Sequence, residues 1–319
     1  MPRHYHVLVA VAIALIATWE VRAQPKPVPV LQTVPLPYEQ ISFQRDGQEI
    51  TRYHFGSALK RSFVYPVIGP AGRSLTRMGH PHDPVGHSHH NSIWVSHNDV
   101  NGTSFWTDRG KNTGQIIHQR IEKMTDGNTE AFVTAVNAWI DDASKKTLLL
   151  ERRRIDIVLL DKGEWFMILD LELEAKLDVT FGKTPFGLVA VRMAKTIGVH
   201  DGGGTIRNSA GQVNEREVFW KPAKWVDYSG AITPKAVEGI TLMDHPGNVN
   251  HPSVYHVRND GWMGSSLTFH DALKLGAGKS LRLRYGFYIH AGQPSVAAIE
   301  NRWAEFAKTT IDELKPKKK

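Results

Sequence analysis

The chain contains no cysteine in 319 residues. Thiol nucleophiles, disulfides and cysteine-based zinc sites are therefore excluded, and the core has to be held by packing alone. It lacks any second long apolar run. Val7 to Thr18 is the one such stretch, and it is shorter than the roughly 20 residues that a membrane helix needs. It follows Arg3, His4 and His6 and precedes Val21-Arg22-Ala23, a pattern that reads as an export signal cleaved after Ala23. A retained N-terminal anchor is the other reading. Cleavage predicts a mature protein that is periplasmic or secreted, with no integral membrane insertion. Charge of one sign is also scarce once the ends are set aside. The formal +7 falls to +6 when residues 1–23 remove two arginines and one glutamate, and to about +2 without Lys315, Lys317, Lys318 and Lys319. With no basic helix and no aromatic RNA motif, nucleic acid is not an expected partner. There is no G-x-S-x-G elbow, no P-loop and no H-E-x-x-H, so serine-hydrolase and nucleotide chemistry find no support.

What remains reads as β. Leu169 to Leu177 and Leu281 to Ile289 alternate apolar and polar residues, the period of a strand with one buried face. Phe63 to Ile68, Phe132 to Ile140 and Thr147 to Leu160 are further strands rich in β-branched and aromatic residues. Turn residues separate them at Asp126-Gly127-Asn128, Asp161-Lys162-Gly163 and Gly276-Ala277-Gly278, and a hairpin turn is expected at Gly202 to Gly204. One helix is expected near the C-terminus, where Ser295 can cap a segment repeating Val296, Ile299, Trp303 and Phe306. It should pack on a sheet edge or face. The expected organisation is a signal peptide (1–23), a poorly packed Pro-rich lead (24–37), one β-sandwich domain (38–312) and a basic tail (313–319). The fold class is all-β, a large antiparallel sandwich with a C-terminal helix.

Histidine is concentrated in one place. His80, His82, His87, His89, His90 and His97 are six of sixteen, within eighteen residues. Imidazole changes charge near neutral pH and is the commonest metal ligand, so the cluster predicts proton transfer or metal binding. A zinc site needs three or four converging ligands. His87 and His89 could supply two, with His97 or a distant loop as the third. In the acid–base reading, Asp83, Asp99 or Asp108 would orient an imidazole. A loop whose histidines bond only water and backbone is the structural alternative.

Three other stretches are candidates. Lys224-Trp225-Val226-Asp227-Tyr228-Ser229-Gly230 could stack and bind a sugar, or could be a strand end with core aromatics and a turn. Asp244-His245-Pro246-Gly247-Asn248, with His256-Val257-Arg258-Asn259-Asp260-Gly261-Trp262, reads as an ordered loop in which Asp244 orients His245 and Arg258 clamps a ligand, or as a loop stapled by its own side chains. Arg192 in the apolar run Phe186 to Met193 needs a partner, either an ion pair or a ligand at a pocket floor.

These motifs, in this order, resemble the exported bacterial family known as PmoA-like. The residues are His87-Ser88-His89-His90-Asn91-Ser92-Ile93-Trp94, His97-Asn98-Asp99-Val100-Asn101-Gly102 with Phe105-Trp106, Gly187 to Arg192, Trp225 to Gly230, Asp244 to Asn248 and His256 to Gly261. Ser88 and Asn91 depart from the family's usual proline and arginine, which leaves substrate choice open. The resemblance implies a galactose mutarotase-like supersandwich whose concave face handles hydroxyl-rich ligands through histidines, an acid and an arginine. It implies His89 and His90 as general acid or base, and His245 as a further reactive imidazole. His87, His97, Asp99, Asn101, Arg192, Asp227, Asp244, Asn248 and Arg258 would bind substrate, and Trp225 would stack on a ring. The expected activity is epimerisation, hydrolysis or elimination on a sugar or glycoside. The alternatives are a metalloenzyme holding one divalent metal through His87, His89 and His97, and a non-catalytic glycan-binding module.

Overall fold

The computed structural model describes Met1, residues 27–311, and residues 313 and 314. The expected signal peptide and nearly all of the basic tail lie outside the described residues. Two antiparallel sheets dominate. The first has nine strands, in spatial order Leu31–Leu36, Gln40–Arg45, Gln48–His54, Phe63–Val67, Ile93–His97, Gly187–Arg192, Trp262–Ser266, Val254–Arg258 and Lys221–Pro222. The second has eight: Thr205–Asn208, Trp225–Thr233, Ala236–Asp244, Ser280–Ala291, Trp165–Ala175, Thr147–Leu159, Glu130–Asp141 and Gly114–Thr125.

The inward positions of both sheets form one apolar cluster, with Phe43, Val95, Val189 and Met263 from the first sheet and Trp139, Ile155, Leu171 and Phe287 from the second. Alternation puts every second residue there, which is why the long two-period runs are the strands of the eight-stranded sheet. A polar knot sits inside this core. Glu151 accepts from Trp139 Nε1 (2.7 Å), Asn137 Nδ2 (3.1 Å) and Arg153 Nε (2.6 Å), and Arg153 reaches Ser62 Oγ of the first sheet (3.0 Å). Removed from water, such groups are tolerated because most find a partner, Arg153 Nη2 being the exception.

The C-terminal helix spans Val296–Ala307, and Ser295 Oγ accepts from the Ala298 N–H at 3.1 Å. It covers the outer face of the eight-stranded sheet, packing Ile299 and Phe306 onto Phe166, Trp225, Met243 and Tyr288. Three details differ from the sequence reading. Part of the Pro-rich lead, Leu31–Leu36, is an edge strand with Leu31 fully buried; prolines are acceptable there because an edge leaves one ladder unpaired. Gly202 to Gly204 ends the short helix Val199–Gly202, with Gly203 left-handed at its C-cap, and no hairpin forms. Ser229-Gly230 is mid-strand, with no turn.

Candidate functional site

The site is built on the outer face of the nine-stranded sheet. Val189, Val191, Met263 and Val257 point to the core, so their neighbours along each strand point away from it. Register then lines up Phe63, Trp94, Ala190, Gly264 and His256 across five strands, with Arg192, Trp262 and Arg258 in an adjacent row. Gly264 matters here. A Cβ on it would stand 3.0 Å from the Trp262 indole, so glycine lets that ring lie flat over the sheet. His90 stacks on Trp262 (5.3 Å between centroids, 14°) and on Trp94 (5.4 Å, 25°), and Trp106 meets Trp262 edge-on.

Ser92 makes the loop possible. Its φ of 57° turns the chain just before Ile93, so residues 79–91 fold back over the sheet and the Gly79 N–H donates to the His90 carbonyl at 2.8 Å. The result is a cavity of about 420 Å³ with His87, His89 and His90 on one side. Phe186, Trp106, Trp262, His256 and Arg258 face them, and Arg192 and Asp260 lie below.

The histidines are in different chemical states. The His80 Nδ1 accepts the N–H groups of His82 (3.0 Å) and Asp83 (3.1 Å), so its proton is on Nε2, which donates to Asp260 at 2.7 Å. Both its nitrogens are used. His87 Nδ1 lies 2.8 Å from Asp83 Oδ2 and donates to it, which leaves Nε2 with a lone pair on the cavity side. The Gly86 N–H and the His87 ring together hold Asp83 below the usual carboxylate range. Burial pushes His89 and His256 down to about 4, and pushes His90 well below its ordinary value with the help of neighbouring imidazoles and Arg192. All three are neutral at pH 7. His90 Nδ1 and His256 Nδ1 are enclosed without a partner.

Arg192 is completely buried. Its Nη1 donates to Asp260 Oδ1 at 2.9 Å, while Nε and Nη2 have no partner. Burial opposes the Asp260 charge, but Arg192 and His80 outweigh it and keep the carboxyl ionised.

A second buried arginine fixes the loop from behind. Arg61 donates to the carbonyls of His89, Phe105 and Trp106, to Asn91 Oδ1 and to Asp108 Oδ1, all within 3.3 Å. Ser88 Oγ donates to the other oxygen of Asp108 at 3.1 Å. Ser88 and Asn91, the two departures noted in the sequence, thus both belong to the Arg61–Asp108 staple.

Of the residues singled out from sequence, the structure brings His80, His87, His89, His90, Trp106, Arg192 and Arg258 to this cavity. The others lie elsewhere, and their placement corrects the expected grouping. His97 is buried, with Nδ1 accepting from the Asp99 N–H and Nε2 donating to Thr268 Oγ1, so it does not complete a metal trio with His87 and His89. Asp99 accepts the Gly102 N–H in a tight turn, and Asn101 ties that turn to Asp178 and Thr180. His245 is held by the Thr309 carbonyl and the Gly247 N–H beneath the C-terminal helix. Trp225 is fully buried under the same helix and donates to Glu300, so no ring can stack on it. Asp227 is enclosed by His290, Thr241, Ser229 and Arg207. Asp244 and Asn248 staple residues 244–253 and the Arg284 backbone. Among the described residues no three His, Asp or Glu side chains are arranged to hold a metal ion.

The sequence alone gives no role to His256, Asp260, Trp262, Phe186 or Arg61. The first three stand in a stretch already marked by Arg258, where alternation along Val254–Arg258 puts His256 and Arg258 on one face. That was the available signal.

No curated protein matches the chain in sequence. Among solved structures it is similar to a mutant of heparan sulfate lyase HepC from Pedobacter heparinus, with 10% identity over 84% of this chain and 38% of that one, and a TM-score of 0.40. It is also similar to galactose 1-epimerase from Lactobacillus acidophilus, with 9% identity over 82% of this chain and 100% of that one, and a TM-score of 0.37. The chain spans 30% to 38% of the length of the lyase chains it resembles. Residues 40–304 match the model of a family of unknown function, DUF6807.

Proposed function

We propose that this chain, which belongs to the DUF6807 family of unknown function, is an exported carbohydrate-active enzyme that moves a proton on a sugar or glycoside in the histidine cavity. The observation that carries this reading is the Asp83–His87 pair, set beside the neutral imidazoles of His89 and His90 in a cavity walled by tryptophan. A general base must be unprotonated at working pH and must present a lone pair to its substrate. Asp83 does for His87 what a carboxylate does in a catalytic triad: it fixes the tautomer and stabilises the imidazolium once a proton has arrived. His90, held neutral and clamped between indoles, is placed to hydrogen-bond the substrate while His87 moves the proton. The exposed edges of Trp106 and Trp262 line the cavity and offer apolar contact to a sugar ring. The unpartnered Nε and Nη2 of Arg192, with Arg258 opposite, are donors lacking acceptors, and ligand oxygens would satisfy them. Proton abstraction of this kind serves epimerisation and elimination, and hydrolysis when water is the nucleophile.

The test is turnover on a panel of sugars and glycosides. His87→Ala and His90→Ala should each lower kcat by roughly 10²–10⁴ with the far-UV spectrum unchanged. Wild-type turnover in both variants would overturn the assignment. Saturable binding without product would make the protein a binding module.

One observation favours a second reading. The rings of His87, His89 and His90 lie pairwise 4.6 to 5.8 Å apart, close enough for small rotations to turn them toward one divalent ion. One equivalent of metal surviving dialysis, and lost in His89→Ala, would select this metalloenzyme.

A further inference from the structure

Trp220 is one of the exposed aromatic residues of the molecule, and unlike Tyr38 it stands among other rings beside a cavity. It is 47% exposed, and its backbone has a φ of 57°, a left-handed conformation that costs a bulky residue on the order of 1–3 kcal/mol. Its N–H donates to the Tyr255 carbonyl at 2.9 Å, which pins the residue at the end of the sheet. Its ring lies on Phe219 (4.4 Å, 23°) and meets Phe269 edge-on at 5.7 Å. With Phe219 and Phe269 it makes a contiguous aromatic patch, the kind of exposed surface that marks a ligand groove.

It lies next to the histidine cavity. A second cavity, of about 470 Å³, is lined by Trp220, Phe269, Pro185, Lys183, Thr184 and His270. The two lie side by side. Pro185 lines the outer cavity and Phe186, the next residue, lines the inner one. On the other side, His256 touches Trp262 at 5.4 Å and Trp220 at 6.5 Å between centroids. Two ring-sized steps therefore lead from the indole under the histidines to the indole at the sheet end. The Lys183 ammonium and the His270 imidazole add hydrogen-bonding groups along the rim.

From this geometry we infer a second subsite: the ligand is a saccharide chain of two or more residues, and Trp220 is the platform for a ring beyond the one that reacts. The inference rests on the carbohydrate reading above and deepens it. Contacts with a remote ring supply binding energy that can be used at the reacting one, which suits a protein acting on oligomers.

The experiment uses mono-, di- and tetrasaccharides of neutral hexoses and of hexuronic acids, in α-1,4 and β-1,4 linkage, titrated into the wild-type protein, Trp220→Ala and Trp220→Phe. In the wild type, affinity for the preferred sugar should rise about tenfold or more from monomer to tetramer. In Trp220→Ala that ratio should fall toward one, and Trp220→Phe should restore most of it. A wild type indifferent to chain length, or an unchanged ratio in Trp220→Ala, overturns the second subsite while leaving the carbohydrate reading standing. No binding by any saccharide of any length overturns both.

Discussion

At the scale of single residues, the cavity depends on side chains that do not line it. Arg61 has 2% exposure and gives five hydrogen bonds, two to the histidine loop at His89 and Asn91 and three to residues 105–108. Arg61→Met would leave three carbonyls, Asn91 and the Asp108 charge without their partner. Losing one member of a buried ion pair costs about 3–5 kcal/mol, so the urea midpoint should drop sharply and ligand binding should weaken with it. A midpoint within experimental error of wild type would show that the staple is dispensable. Sequence inspection passes over Arg61 because its partners lie 28 to 47 residues away, with no period or motif connecting them. The histidines were visible because they crowd in sequence as well as in space. His245, Asp244, Asp227 and Trp225 are of equally suggestive types, yet their polar atoms are satisfied by protein. Residue type shows that a group needs a partner, and only the fold shows whether that partner is a ligand.

Among the elements, strands with strict alternation were legible because one face had to be buried. The first edge strand was not, since prolines conceal its pattern. The C-terminal helix was readable from its Ser295 cap and its three-and-four spacing. Ser295→Ala should cost about 1 kcal/mol. The helix covers the eight-stranded sheet while the cavity lies on the nine-stranded one, so ligand affinity should be unaltered. Chemical denaturation and a binding titration on the same sample separate the two effects. A change in affinity would mean that the helix and the cavity communicate through the core.

For the molecule as a whole, the buried histidines set the response to acid. Burial holds His97 at about 4 in the folded chain against an ordinary value near 6.5 in the unfolded one. Between those values the unfolded chain binds the extra proton, so stability is full above pH 6.5 and declines as the pH falls. His97, fully buried, should alone account for about 2 kcal/mol lost by pH 5. His89, His90 and His256 act in the same direction. Asp156, pushed up to about 6 by burial, acts in the opposite one and gains from acid. The histidines outnumber it, so the melting temperature should fall from pH 7.5 to pH 5. A level or rising profile would contradict the neutral assignments on which the base chemistry rests.

The bond between His80 and Asp260 joins positions 180 residues apart, and the cavity draws on residues 80–106, 186–192 and 256–262. Closing so large a loop is slow, because its entropy is lost before any contact rewards it. Strand Trp262–Ser266 must take its place before the cavity has a floor. The cavity is therefore expected among the last parts of the fold to form, and any ligand that needs it must wait for those long-range contacts.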